Sequence, residues 1–292
     1  LSLTAPVAVL TIVPHRASKE IAMASTDPAF AGAIPRLYDA LLVPMLFQPY
    51  ADQLAALVAG WSPRAVLETA AGTGVVTRAL APRLAAEARY VVTDVSPAML
   101  EFAAARQGPD TRIEWRPVDA TALPFDDASF DVVCCQFGAM FFPSRVDGYA
   151  QARRVLKPGG RFVFSVWDRL EANEFPAEVM ATLAHVFPDD PPNFIARIPH
   201  GHHDVARLRE DLRQAGFTDI GIQTREAVSL APSARDVATA FCQGTPVRAE
   251  IEAREPSLLQ AATDRVAAAI AARHGDGPVT GKIQAHVIVA VA

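Results

Sequence analysis

Val66-Leu67-Glu68-Thr69-Ala70-Ala71-Gly72-Thr73-Gly74 is the stretch on which the reading of this chain turns. Just before it, Ala65 to Thr69 is a short strand-like apolar run. Just after it, Val75, Val76, Ala79, Leu80 and Leu84 recur at helical spacing, with Pro82 placed to bend or end that helix. The glycines therefore sit where a strand turns into a helix. Glycine there lets the backbone approach a ligand, and the helix start offers N–H groups that have no partner within the helix. The plainer reading is a tight turn that needs glycine for its geometry alone.

Downstream, strand and helix patterns alternate. Tyr90 to Thr93 is a second strand. Ser96-Pro97 supplies a helix cap and a proline at the first helical position, and that helix runs to about Arg106. Arg112 to Val118 is a third strand. Phe130 to Gln136 is a fourth, apolar throughout as for a strand covered on both faces. A helix from Val146 to Leu156 leads to a turn at Lys157-Pro158-Gly159-Gly160, and Arg161 to Trp167 is a fifth strand. Such alternation implies a parallel sheet with right-handed crossovers.

Beyond Trp167, helices fill Glu174 to Ala215, with Gly216 at a helix end. Phe217 to Val228 is a sixth strand, Pro256 to Arg273 a helix, and Ile283 to Val291 a last strand. Arg36 to Gly60 reads as two helices. The expected fold is α/β, a doubly wound, mostly parallel seven-stranded sheet with an added helical lid. Residues 1–25 form a weakly ordered extension in this reading, and 26–292 one domain. Within it, 26–60 are N-terminal helices, 61–168 the core, 169–216 and 232–280 lid segments, and 217–231 and 281–292 the final strands.

Composition narrows the function classes. Lys and Arg number 27 against 32 Asp and Glu, a formal charge of -5. That argues against a nucleic-acid partner, which needs clustered positive charge. Cys134, Cys135 and Cys242 have no framework spacing, so a disulfide-stapled secreted protein is not expected; the expectation is a cytoplasmic chain. No C-x-x-C or H-E-x-x-H occurs, so no metal is expected. No apolar run approaches the roughly 20 residues that span a bilayer. Leu1 to Val13 is apolar but lacks a basic segment before it and reads as a poor signal peptide.

Asp94 strengthens the functional reading of the glycine turn. It ends the second strand, 20 residues beyond Gly74. A carboxylate there can accept hydrogen bonds from both ribose hydroxyls of a nucleoside. Its plainer role, capping the next helix, is better filled by Ser96.

The turn resembles the first motif of class I S-adenosylmethionine-dependent methyltransferases, acidic-x-Gly-x-Gly-x-Gly, with Ala70 in place of the first glycine. Thr93-Asp94-Val95-Ser96-Pro97-Ala98-Met99-Leu100 resembles the second segment. Asp119 to Phe125 with Ser129 to Val133 resembles the third and fourth, and Arg154 to Phe162 the segment after the core. The ordered matches cover roughly residues 65 to 167. They look most like the small-molecule group related to ubiquinone and menaquinone biosynthesis.

The resemblance implies a cofactor, S-adenosylmethionine, leaving as S-adenosylhomocysteine, and a set of residues around it. Glu68 helps hold the amino end of the methionine part, directly through the turn or through water. Ala70, Gly72, Thr73 and Gly74 form the approaching turn, and Ala70 is tolerated if its φ stays negative. Asp94 takes the ribose, Val95 and Met99 flank the adenine, and Asp119 with Ala120 binds the adenine's amine edge. Gln136 and Phe137 lie near the methionine end and the methyl group, and Tyr38 either closes over the cofactor or packs in the core. For Phe137, Phe141 and Phe142 the plainer role is core packing.

Methyl transfer from a sulfonium needs chiefly positioning, and a base only when the acceptor arrives protonated. The sequence names no catalytic residue. For His200, His202 and His203 a metal site or a base is the less favoured reading and exposed polar residues before a helix the preferred one, while His185 reads as a structural histidine. Glu171 to Pro199 and Ser233 to Val279 are expected to roof the cofactor and shape a pocket for a small, partly apolar acceptor. The competing readings are a non-catalytic cofactor-binding regulator, an NAD-dependent oxidoreductase and an aminopropyl transferase. The oxidoreductase expects glycine where Thr77 stands, and the aminopropyl transferase expects an acidic cluster where Cys134-Cys135-Gln136-Phe137 stands. Oligomerisation is left open.

Overall fold

The computed structural model describes residues 34–292. The expectations for residues 1–25, including the signal-peptide reading, lie outside them. Seven strands form one sheet: β1 (Ala65–Glu68), β2 (Arg89–Asp94), β3 (Ile113–Pro117), β4 (Phe130–Gln136), β5 (Leu156–Trp167), β6 (Asp219–Ala231) and β7 (Val279–Val291). Their order is β3-β2-β1-β4-β5-β7-β6. The first five are parallel, and β7 runs antiparallel to both β5 and β6. The expected doubly wound, mostly parallel seven-stranded sheet is thus the observed one. Chain order reverses between β1 and β4, and the crevice at the carboxyl ends of those strands is where such sheets bind ligands.

Helices cover both faces. α1 runs through Tyr38–Ala59, entered by the helical turn Ile34–Leu37. α2 (Val75–Leu80), α3 (Pro97–Gln107), α4 (Arg145–Val155), α5 (Glu174–Val186), α6 (Phe194–Arg197), α7 (Val205–Gln214), α8 (Ala234–Gln243), α9 (Val247–Arg254) and α10 (Leu259–His274) follow. Neighbouring residues of β4 feed opposite cores: Val132 and Cys134 pack with α1 and the later helices, Val133 and Cys135 with α4 and α7. Each fully buried aliphatic side chain of this kind stabilises the fold by about 1.5–3 kcal/mol.

Three local expectations are corrected. Arg36 to Gly60 is one helix rather than two. Tyr38–Phe47 is π-wound around Pro44, which has no N–H to give, and the Gln48 N–H reaches back to the Val43 carbonyl before α-winding resumes at Gln48–Ala59. This helix is long and apolar enough to cross a membrane, although the sequence reading found no such run. Leu42, Val43, Met45, Leu46, Tyr50, Ala51, Leu54, Ala55 and Val58 bury it in the core instead. Finally, Lys157 to Gly160 is not a free turn but the start of β5. The Gly159 N–H donates to the Ala292 carbonyl and the Ala292 N–H to the Gly160 carbonyl, so pairing with Ala292 draws the segment into the sheet.

Candidate functional site

The turn after β1 is held from below and from the side. Gly74 has φ +80, and a Cβ there would lie 2.9 Å from Ala103 Cβ, so glycine lets α3 pack against the turn. The Gly72 N–H donates to Asp94 Oδ2 at 2.8 Å, and the Ser96 N–H donates to Asp94 Oδ1 at 2.8 Å. Asp94 thereby ties the turn to the start of α3. Burial raises its carboxyl above the usual range, against the lowering effect of the Ser96 and Gly72 hydrogen bonds. Ser96 also caps α3, its hydroxyl accepting from the Met99 N–H.

Ala70 departs from expectation: its φ is +52, not negative. The left-handed conformation costs a non-glycine residue roughly 1–2 kcal/mol. The methyl is accommodated because residue 138 is glycine; an ideal Cβ there would stand 2.4 Å from Ala70 Cβ. Phe137 also has positive φ, +52, which turns its ring to stack on Trp167 at 3.9 Å between centroids and 8° between planes. Two non-glycine residues that follow the switch-point strands β1 and β4 thus hold positive φ.

A cleft of ≈ 520 Å³ opens above this turn. Tyr38, Ala70, Gly72, Thr73, Asp94, Val95, Met99, Asp119, Ala120, Gln136 and Phe137, all anticipated from sequence, line it. Glu68 and Gly74 do not. Glu68 lies beneath the turn, its Oε2 accepting from the Thr77 hydroxyl at 2.8 Å and from the Tyr90 hydroxyl. Burial pushes its carboxyl up to about 7, against those hydrogen bonds and the Arg78 charge. Among the described residues, two buried polar atoms of cleft-lining side chains have no hydrogen-bond partner: Thr73 Oγ1 and Gln136 Oε1. Leaving such atoms unpaired costs about 1–3 kcal/mol each, so they are ready partners for a polar ligand.

A second, smaller chamber of ≈ 80 Å³ adjoins the cleft, sharing Tyr38, Phe47, Phe137 and Phe141 with it. Its far walls come from α1, α5, α6 and the end of α8, with Trp167, Phe194, Phe241 and His200. Sequence reasoning missed Phe47 and Trp167, and set His200 down as an exposed polar residue in preference to a base or metal ligand. The one available signal was that Trp167 ends a strand beside the switch point. His200 and His202 are buried, not exposed as expected. Burial lowers His200 to about 4 and His202 to about 3, and the His202 ring is 3.0 Å from the Tyr149 hydroxyl. His185 is exposed, its Nδ1 2.7 Å from the Ala181 carbonyl. Cys134, Cys135 and Cys242 are buried free thiols. No cluster of metal-binding side chains occurs among the described residues.

One further contact joins α1 to the turn. Asp39 is buried between Arg78 at 2.9 Å and Arg106 at 3.1 Å, and Arg78 also donates to the Thr73 carbonyl. The helix bearing Tyr38 is thereby fastened across the cleft.

Residues 67–164, the span holding the turn, Asp94, Asp119 and Phe137, match the family model described as "Methyltransferase domain". The chain carries a methyltransferase domain. It is 46% identical over 98 residues to a demethylmenaquinone methyltransferase of Clavibacter sepedonicus, covering 34% of this chain and 39% of that one. It is 29% identical over 178 residues to the ubiquinone/menaquinone biosynthesis C-methyltransferase UbiE of Idiomarina loihiensis, covering 54% and 68%. The first of these alignments spans less than half of its relative's length. The fold is also that of phosphoethanolamine N-methyltransferase 2 of Haemonchus contortus, solved with phosphomonomethylethanolamine and S-adenosylhomocysteine. There the TM-score is 0.51 and the identity 18%, over 82% of this chain and 52% of the other.

Proposed function

We propose that the cleft binds S-adenosylmethionine and that the chain transfers its methyl group to a small, partly apolar acceptor held in the adjoining chamber. The observation that carries this reading is Asp94. It is a buried carboxylate at the end of β2, bonded to the glycine turn and lining the cleft at the switch point. With one N–H on each oxygen, it keeps lone pairs for a ribose. Val95 and Met99 would flank the adenine, with Asp119 and Ala120 at its edge. Thr73 and Gln136 would meet the methionine part with the two unpartnered oxygens. Glu68 would act from beneath, by fixing the turn rather than by contact. Tyr38 and Phe137 would close the cleft toward the chamber.

When bound, the cofactor supplies an activated methyl on a sulfonium. The chain's own contribution is placement, with the acceptor near ~3 Å from that carbon and water kept out by the aromatic residues shared between cleft and chamber. The relatives' names concern quinone biosynthesis, and the aromatic chamber suits an acceptor of that general kind. The buried free thiols fit a cytoplasmic protein.

Calorimetric titration with S-adenosylmethionine and with NAD tests the reading. Micromolar binding of the first, none of the second, and binding at least about tenfold weaker in Asp94→Ala are expected. NAD binding, or unchanged affinity in the variant, would overturn it.

A further inference from the structure

The acceptor chamber is mostly hydrocarbon, and its few polar side chains are almost all committed. Asn173 donates to the Arg169 carbonyl at 3.1 Å and accepts from the Gln284 N–H at 2.9 Å. Thr245 donates to the Phe241 carbonyl and accepts from the Val247 N–H. Tyr38 is held far above its usual range by burial, with Asp94 and Asp39 adding to the effect, so it stays a neutral phenol and offers no basic oxygen. His200 remains. Its Nδ1 lies 2.7 Å from the Asp168 carbonyl, a partner that only accepts, so Nδ1 carries the hydrogen and Nε2 the lone pair. Among the described residues Nε2 has no partner. The ring packs beside Trp167, 6.1 Å between centroids, and Trp167 stacks on Phe137 at the mouth of the cleft.

We propose that His200 is the general base of the reaction, its Nε2 accepting the proton of a protic acceptor, a phenol or enol, as the methyl is transferred. The proposal rests on the functional reading above. As the methyl carbon leaves sulfur, the C–S pair stays on sulfur and a lone pair of the acceptor oxygen forms the new O–C bond. The O–H proton moves to Nε2. One positive charge disappears at sulfur and one appears on the imidazole, so the buried site keeps its net charge.

The surroundings suit both states of the ring. Burial keeps it neutral at rest, with His203 opposing protonation further, so the lone pair is available across the physiological range. Asp168 and Glu171 favour the protonated ring and would support it once the proton arrives. The Asp168 carboxyl is itself held below its usual range. Burial works against this, but the Arg169 N–H, Gln284 and the charges of His286 and His203 prevail, so it stays an anion. Cavities of about 150 Å³ take a benzene ring. A chamber of ≈ 80 Å³ therefore admits one edge of an aromatic acceptor, the rest lying in the mouth shared with the cleft.

The test uses the full chain with catechol as acceptor, and with His200→Ala and His200→Gln. Calorimetric binding of S-adenosylhomocysteine comes first. All three proteins should bind it equally; no binding by the wild type would overturn the functional reading and this inference with it. With that ligand bound, catechol should move the His200 Nε2 resonance in ¹⁵N-histidine spectra. In turnover, both variants should lose about 10²-fold or more in kcat with catechol KM within a few-fold, and free imidazole should restore part of the rate to His200→Ala. An unmoved Nε2 resonance, no turnover of catechol by wild type that binds S-adenosylhomocysteine, kcat within tenfold in the variants, or no rescue by imidazole would each overturn the assignment.

Discussion

Gly138→Ala places a methyl where Ala70 already has one. The Gly138 backbone, at φ -101 and ψ -34, is open to any residue, so only contact opposes the change. The new Cβ would meet Ala70 Cβ at 2.4 Å and Cys135 Sγ at 3.0 Å, against the 3.5–4.0 Å or so of normal carbon contacts. Ala70 cannot yield by rotating a side chain. Either the turn or the segment after β4 must move, at a cost of about 1–3 kcal/mol. Ala70→Gly removes the obstructing methyl. Alone it should be near neutral or mildly stabilising, since relief of about 1–2 kcal/mol of left-handed strain is offset by about 0.4–1 kcal/mol of added freedom in the unfolded chain. In the double variant Gly138→Ala should cost about 1–2 kcal/mol less than in the wild type, the Cys135 contact accounting for what remains. Urea unfolding of the four proteins, with unchanged slopes, measures this. S-adenosylhomocysteine affinity should fall in Gly138→Ala and recover in the double variant, because the turn is the cleft's floor. Equal costs in the two backgrounds, within about 0.5 kcal/mol, would refute the packing argument.

Glu68 has a folded value raised to about 7, so the folded state holds its proton more tightly than the unfolded chain does. The resulting stability is complete below the unfolded value near 4.5 and is lost as pH rises toward 7; urea midpoints across that window should show a shallower decline in Glu68→Gln. His202 has the opposite sign. Its folded value of about 3 lies below the unfolded 6.5, so its contribution is present above 6.5 and lost as pH falls toward 3, and His202→Gln should soften acid unfolding in circular dichroism. Asp39→Ala leaves Arg78 and Arg106 without their shared carboxylate and should cost about 2 kcal/mol in urea unfolding. It should also weaken S-adenosylmethionine binding through the loosened Tyr38 helix, as calorimetry would report.

From Ala65 through Trp167 the sequence determined by itself the order of strands and helices, and it marked the glycine turn and Asp94. These follow from local signals: apolar periodicity, a glycine turn between a strand and a helix, a carboxylate at the next strand's end, and the Ser96-Pro97 cap. In a parallel sheet such positions converge at the carboxyl ends without further instruction. Only the tertiary structure decided the rest. Whether Ala70 adopts φ +52 depends on Gly138, far along the chain, leaving room for its methyl. Glu68 turned out to lie beneath the cleft because Thr77 and Tyr90 draw its carboxylate there. The chamber unites Tyr38, Trp167, His200 and Phe241 from four separate segments. His200 reads as an exposed polar residue in its own neighbourhood of sequence and becomes a buried, tautomer-fixed ring only through the Asp168 carbonyl and Trp167. Periodicity reports which face of an element is buried, but the partner that buries it, and hence a side chain's charge state and free atoms, is set by contacts between distant parts of the chain.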